Sequence, residues 1–197
     1  MIIRIATPLP NDVDATKEQL VSIKNLISQG KKYNFEHIEI HSAIISNNRN
    51  LLVNYNNMNF DKILFVDGDI TFKLEDFEKL MNSGLPIISG KYYLRDNTLS
   101  YWNYGEKEQK LYPETTAELI EVENTGLGFC LIDKIVFEKL NKMGYRNYFP
   151  YYESKFENLY LGEDIGFCRV CSCISMPIYV HNDIFVNHII KQRENNG

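Results

Sequence analysis

Long apolar runs, basic blocks and paired cysteines are what this sequence lacks, and each absence removes a class of protein. No run approaches the length of a membrane-crossing helix, so no transmembrane segment is predicted. The opening Met1-Ile-Ile-Arg-Ile-Ala-Thr7 is too short for a signal peptide, and Arg4 interrupts it. Cysteine occurs only as Cys130, Cys168, Cys171 and Cys173, which is no disulfide framework for a chain of 197 residues. These absences predict a reduced, cytoplasmic protein. Lysine and arginine form no block and the net charge is −5, so nothing points to nucleic acid. An anionic nucleotide, if bound, needs a metal ion or local donors. No repeat, low-complexity stretch or linker divides the chain. One domain is expected over residues 1–190, with a frayed polar tail over 191–197.

What is present centres on Lys62-Ile-Leu-Phe-Val-Asp-Gly-Asp-Ile70. Four apolar residues, Ile63 to Val66, bounded by polar ones predict a strand buried on both faces. Asp67 and Asp69 then fall at its C-terminal end, where open α/β sheets place ligands. Gly68 between them permits a tight bend and a close-lying ligand. Two carboxylates at i and i+2 on a bent strand end suit a hard divalent cation such as Mg²⁺ or Mn²⁺. Asp-Gly is also an ordinary turn signal.

Around this stretch the periodicity alternates between strand and helix. Ile2 to Ala6 reads as a strand stopped by Pro8 and Pro10. A helix capped by Asp14 or Thr16 carries Leu20, Ile23, Leu26 and Ile27 and ends at Gly30. Phe35 to Ala43 is the next strand, making β-α-β. Arg49 and Asn50 open a second helix taking Leu51, Leu52 and Tyr55 inward; an arginine there runs against the helix dipole and suits a phosphate or carboxylate. Leu74 to Leu80 is a helix and Pro86 to Gly90 a strand. Aromatics in the irregular stretch from Asp96 to Thr116 suggest a hairpin or loop. The paired glycines Gly126 and Gly128, between strands, allow a ligand near the backbone or mark a bulge. Asp133 is placed to cap a helix through Leu140. Glu163 and Asp164 begin another, where acids are favoured. A last strand is expected over Met176 to Val180.

Four of these pieces, in this order, resemble the GT-A class of nucleotide-sugar glycosyltransferases. They are the Arg49-Asn50 helix start, the Asp67-Gly68-Asp69 strand end, Gly126-Leu-Gly-Phe129, and Gly162-Glu-Asp-Ile-Gly-Phe-Cys168 followed by Asn187-His188. The likeness is nearest to small family-two-like transferases of bacteria and their viruses, and covers Ile2 to about His188. It implies an α/β, Rossmann-like GT-A fold: a mostly parallel central sheet flanked by helices, with a small antiparallel addition. It implies that Asp67, Asp69 and His188 hold Mn²⁺ or Mg²⁺. Donor-binding positions would be Asp67, Arg49 near the diphosphate, Pro8 beside the base and ribose, and Gly126 and Gly128. Asp164, with Glu163 beside it, would be the general base of an inverting transfer. The donor would be a UDP- or GDP-sugar, and the acceptor a hydroxyl of a glycan, lipid or protein. Two departures stand out. The chain is short for a transferase with a full acceptor domain, and only Asp12 and Asp14 lie near the usual uracil-contacting position.

Three other readings compete. Cys168-X-X-Cys171-X-Cys173 with His181 and His188 has the arithmetic of a zinc site, but Cys168 falls on an apolar helical face. A sugar nucleotidyltransferase on a similar fold needs a glycine-rich, basic first loop, and Thr7 to Asp14 has neither glycine nor base. A degenerate, non-catalytic sugar-binding domain has no need of five retained acid and histidine positions.

Overall fold

The computed structural model describes residues 1–104, 109–153 and 160–189, so the tail expected over 191–197 lies outside the described residues. β1 (Ile2–Leu9), α1 (Lys17–Gln29) and β2 (Asn34–His41) open the chain. Thr16 caps α1 by accepting from the Gln19 N–H, and Gly30 ends it. α2 (Ile45–Asn54), β3 (Lys62–Val66), the two-residue β4 (Ile70–Thr71), α3 (Leu74–Asn82) and β5 (Ile87–Lys91) follow. β6 (Tyr101–Tyr104) pairs antiparallel with β7 (Lys110–Leu111), in the stretch where a hairpin or loop was expected. Then come β8 (Leu119–Val122), β9 (Asn124–Thr125), β10 (Phe129–Asp133) and α4 (Lys134–Lys142). β11 (Tyr152–Glu153), β12 (Tyr160–Leu161), α5 (Glu163–Cys173), β13 (Ile178–Phe185) and β14 (Asn187–His188) complete it.

Seven strands form the central sheet in the order β2-β1-β3-β10-β5-β13-β8. β10 and β8 run against the other five, so the sheet is mixed and mostly parallel. Strand alternation divides its side chains between two layers. Ile63 and Phe65 join α2, α4 and α5 on one face; Leu64 and Val66 join α1 and α3 on the other. All four are fully buried. At about 1.5–3 kcal/mol for each such side chain, this short strand is a strong anchor of the fold. Small antiparallel pairs, β4 with β14 and β6 with β7 and β9, are added at the margins.

Three local expectations need correction. β1 continues through Pro8 to Leu9. The Ile2 carbonyl accepts from Asp61 on the β3 side and the Leu9 carbonyl from Ser42 on the β2 side. By alternation Pro8 turns its N–H-less nitrogen towards β3, where pairing has already ended at Ala6–Phe65, so no ladder bond is lost. α2 begins at Ile45, earlier than expected, and its N-cap Ile44 makes no side-chain capping bond. That shift puts Arg49 in mid-helix with Leu52 and Val53 inward, and leaves Leu51 and Tyr55 exposed. Asp133 sits at the N-cap of α4 without capping it, because its carboxylate pairs with Lys62.

Arg4, which breaks the first apolar run, is fully buried under the end of α2. Its Nη1 donates to the carbonyls of Leu52 and Tyr55, both at 3.0 Å, and its Nε to Glu36. A cation there satisfies orphan carbonyls and complements the helix dipole, fixing the helix that carries Arg49.

Candidate active site

The end of β3 is tied down on both sides. The Asp67 N–H donates to the Gly128 carbonyl at 3.0 Å, extending the β3–β10 pairing by one residue. The chain then turns, with the Ile70 N–H donating to the Asp67 carbonyl. Gly68 does not adopt left-handed backbone geometry; a Cβ there would lie 2.5 Å from Leu9 Cδ2 and 3.4 Å from Ala15 Cα. Its carbonyl accepts from Thr16 N at 2.7 Å. Close approach of the first loop, rather than a bend, is what the glycine serves.

Pairing of β4 with β14 sets Ile70 opposite His188, which brings His188 to Asp69 across 119 residues of sequence. The His188 Nε2 lies 3.2 Å from Asp69 Oδ2, and Nδ1 lies 2.8 Å from the Tyr93 carbonyl. A carbonyl only accepts, so Nδ1 carries a hydrogen and Nε2 faces the carboxylate. The bond to Asp69 raises the His188 pKa against the opposing effect of burial. A histidine that ligates a metal usually has its other ring N–H held by a carbonyl or carboxylate in this way. Asp69 and His188 therefore fit an Mn²⁺ or Mg²⁺ ion by donor type and orientation. Asp67 is less committed to it: the ligand atoms of Asp67, Asp69 and His188 do not all fall within 4.8 Å of one another.

Asp67 is instead turned to Arg49. The Arg49 side chain is 3% exposed; Nη2 donates to Asp67 Oδ1 at 2.9 Å and Nε to Glu163 Oε1 at 3.1 Å. Its guanidinium lies over the Phe65 ring at 5.1 Å, and Nη1 is buried without a partner. Burial alone would lower the arginine pKa, but Asp67 and Glu163 outweigh it and keep the charge. Asp67 is raised, first by burial and then by Asp69 and Glu163, with Arg49 opposing. One cation thus joins the strand end at Asp67 to the helix start at Glu163, which lies 114 residues beyond the arginine itself.

α5 presents Glu163 and Asp164 from its first turn. Its position is set by Gly166, where a Cβ would lie 1.5 Å from the Pro150 carbonyl oxygen. Asp164 Oδ1 accepts from the Ile165 N–H at 2.8 Å. Burial first, then the neighbouring Glu163 charge, pushes its carboxyl up to about 6. A carboxyl so poised is a base that still operates near neutrality.

Of these groups Arg49, Asp67, Asp69 and Glu163 border a cavity of about 470 Å³, which His188 and Asp164 do not line. Leu9, Pro10, Val13 and Ile45 form an apolar wall; Arg49, Asp67, Asp69, Glu163 and Arg95 form a charged end. Apolar wall beside charged end is the division a nucleoside and its phosphates need. Pro8 is buried in β1 and does not line the cavity; Leu9 and Pro10 do. Gly126 and Gly128 do not line it either. The Tyr92 hydroxyl occupies their missing side chains, 2.2 Å and 2.9 Å from the Cβ positions, and accepts from Gly128 N at 3.0 Å. Tyr92 also meets the His188 ring edge-on at 5.8 Å. Neither Tyr92 nor Arg95 was singled out from sequence, although both follow β5 at the same sheet edge as the two aspartates.

Cys130, Cys168 and Cys171 lie in the core, and burial pushes the Cys168 thiol up to about 12, against a zinc site. Among the described residues, Glu118, His181 and Asp183 are the group whose ligand-type atoms all lie within 4.8 Å. They sit outside the cavity, and Lys79 and Lys91 add positive charge beside His181.

No protein-family model and no curated protein matches the sequence. Solved structures do match. A197 from STIV superposes with a TM-score of 0.63 at 19% identity, over 95% of this chain and 86% of that one. The catalytic domain of Drosophila beta1,4-galactosyltransferase 7, solved with xylobiose, gives 0.58 at 13% identity, covering 95% of this chain and 71% of that one. GalNAc-T7, solved with UDP, GalNAc and Mn²⁺, gives 0.59 at 10% identity; all of this chain matches 44% of that one. The chain has a GT-A-like glycosyltransferase fold. No described helix is long and apolar enough to cross a membrane.

Proposed function

We propose that residues 1–190 form a single GT-A domain that transfers a sugar, with inversion, from a nucleoside-diphosphate donor to a hydroxyl acceptor in the cytoplasm. The observation that carries this reading is the joining of two half-sites at one cavity. Asp69 with His188 supplies a cation site, and Arg49 links its neighbour Asp67 to the helix start holding Glu163 and Asp164. The donor would be a UDP- or GDP-sugar, its base against Leu9, Pro10, Val13 and Ile45, its diphosphate at the charged end. The acceptor would be a glycan, lipid or protein hydroxyl.

In the reaction an acceptor oxygen forms a bond to the sugar's anomeric carbon. Its proton passes to the Asp164 carboxylate, and the anomeric carbon–oxygen bond breaks with its electron pair going to the diphosphate. An Mn²⁺ or Mg²⁺ ion on Asp69 and His188, with Asp67 beside them, would supply positive charge against that diphosphate. Glu163, held by Arg49, positions the helix start. Arg49, buried and already shared by two carboxylates, orders the site more than it neutralises the donor.

The test is release of nucleoside diphosphate from UDP- and GDP-sugars in Mn²⁺, Mg²⁺ or EDTA. Metal-dependent release that Asp69→Ala abolishes is the expected result. Metal-dependent donor binding without release in any condition would instead identify a non-catalytic sugar-nucleotide-binding domain.

A further inference from the structure

We infer that Arg95 is a donor-binding residue whose guanidinium takes the terminal phosphate of the nucleoside diphosphate. This rests on the donor reading above and adds a residue to it.

Four carboxylates border the cavity, Asp14, Asp67, Asp69 and Glu163, against two described cations, Arg49 and Arg95. A diphosphate entering this end meets net negative charge, so every available cation matters. Arg49 is largely committed: two of its nitrogens are bonded to Asp67 and Glu163, the third is buried, and its side chain is 3% exposed. Arg95 is the opposite case. Its side chain is 77% exposed, and its Nη2 stands 4.0 Å from Asp69 Oδ2, beyond hydrogen-bond distance. A surface pair of that length contributes next to nothing to stability. The guanidinium therefore keeps its donor fork unspent beside the aspartate of the cation site.

The backbone holds it there. Leu94, Arg95, Asp96 and Asn97 form a turn in which Asn97 N donates to the Leu94 carbonyl at 3.0 Å. Leu94 N donates to the Thr98 carbonyl at 2.8 Å, and the Asp96 carboxylate accepts from both Thr98 N and Thr98 Oγ1. Asn97 takes the left-handed conformation that such a turn asks of asparagine. One residue before the turn, the Tyr93 carbonyl fixes His188. The same short segment thus orients the histidine of the cation site and presents Arg95 over it. Arginine's planar fork matches two phosphate oxygens at once. During transfer those oxygens gain the charge of the departing diphosphate, so the contact strengthens as the sugar leaves.

The experiment is titration calorimetry of wild type, Arg95→Ala and Arg95→Lys with UDP, GDP, UMP and GMP in Mn²⁺. Arg95 is exposed, so folding of the variants is checked simply by their melting temperatures. Arg95→Ala should bind the preferred diphosphate about 10- to 100-fold more weakly and leave the monophosphate within about twofold. Arg95→Lys, a point charge without the fork, should recover only part of the loss. Equal diphosphate affinity in wild type and Arg95→Ala overturns the role of Arg95 while leaving the donor reading intact. A parallel loss for mono- and diphosphate also overturns it, since the terminal phosphate would not be what Arg95 reads. If folded wild type binds none of the nucleotides, the donor reading fails and this inference falls with it.

Discussion

A carboxyl that must accept a proton is useful only where it is ionised. Burial and Glu163 hold Asp164 at about 6, so it is protonated and inert as a base below that pH and ionised above it. Turnover should rise with pH through an acidic limb centred near 6. Asp164→Asn should cut turnover by about 10²-fold or more, abolish that limb and leave nucleotide affinity unchanged. A pH–rate profile of both proteins checks the two statements together; a limb that survives the substitution reassigns the base to Glu163. At this scale the sequence made the carboxylates and His188 visible, because their types and spacings are local facts. It hid their partners. That Asp67 would turn to Arg49, or that Tyr93 would supply a carbonyl to His188, depends on register between segments far apart in the chain.

At the scale of elements, α5 shows how closely one helix start is fitted. Gly166 has no space for a side chain, since its Cβ direction ends in the Pro150 carbonyl, which is backbone and cannot swing aside. Gly166→Ala should destabilise the protein by about 3 kcal/mol or more and lower activity as Glu163 and Asp164 move. Gly84 makes the control: nothing lies within 4 Å of its Cβ direction, and only its left-handed φ of +66 opposes alanine. Gly84→Ala should cost about 1 kcal/mol and leave activity unchanged. Denaturant unfolding measures both. Elements with strong periodicity and punctuation were legible, as Thr16 and Gly30 bounding α1 demonstrate. The start of α2 was not, because Ile44 offers no capping oxygen and nothing marks the boundary. Nor was the β4–β14 pair, whose strands are two residues long and carry no alternation to read.

For the whole molecule, the consequence of an acid-lined cavity in a chain of net charge −5 is that nucleotide and metal should stabilise it together. A ligand that binds only the folded state, at about 100 times its dissociation constant, adds roughly 2.7 kcal/mol. In a chain of this size that raises the melting temperature by about 5–10 °C. A thermal-shift panel of nucleoside diphosphates with Mn²⁺, Mg²⁺ or EDTA should show the rise for one base and only with metal. A rise of equal size in EDTA would remove the cation site from donor binding. The layering itself was legible from strand–helix alternation, because a strand such as Ile63 to Val66, apolar on both faces, requires a layer on each side; the antiparallel course of β10 and β8 within the sheet was not.

Tyr92 and the two glycines opposite it leave a constraint on how this chain can change. Gly126 and Gly128 are glycine because a phenol oxygen already stands where their side chains would go. The oxygen is the tenant and the glycines are its footprint, so the three positions cannot vary independently. A substitution at Gly126 is blocked while the phenol is in place, and becomes open once Tyr92 has been shortened. Any mutational route through this corner of the site therefore has a direction: tyrosine first, glycine second.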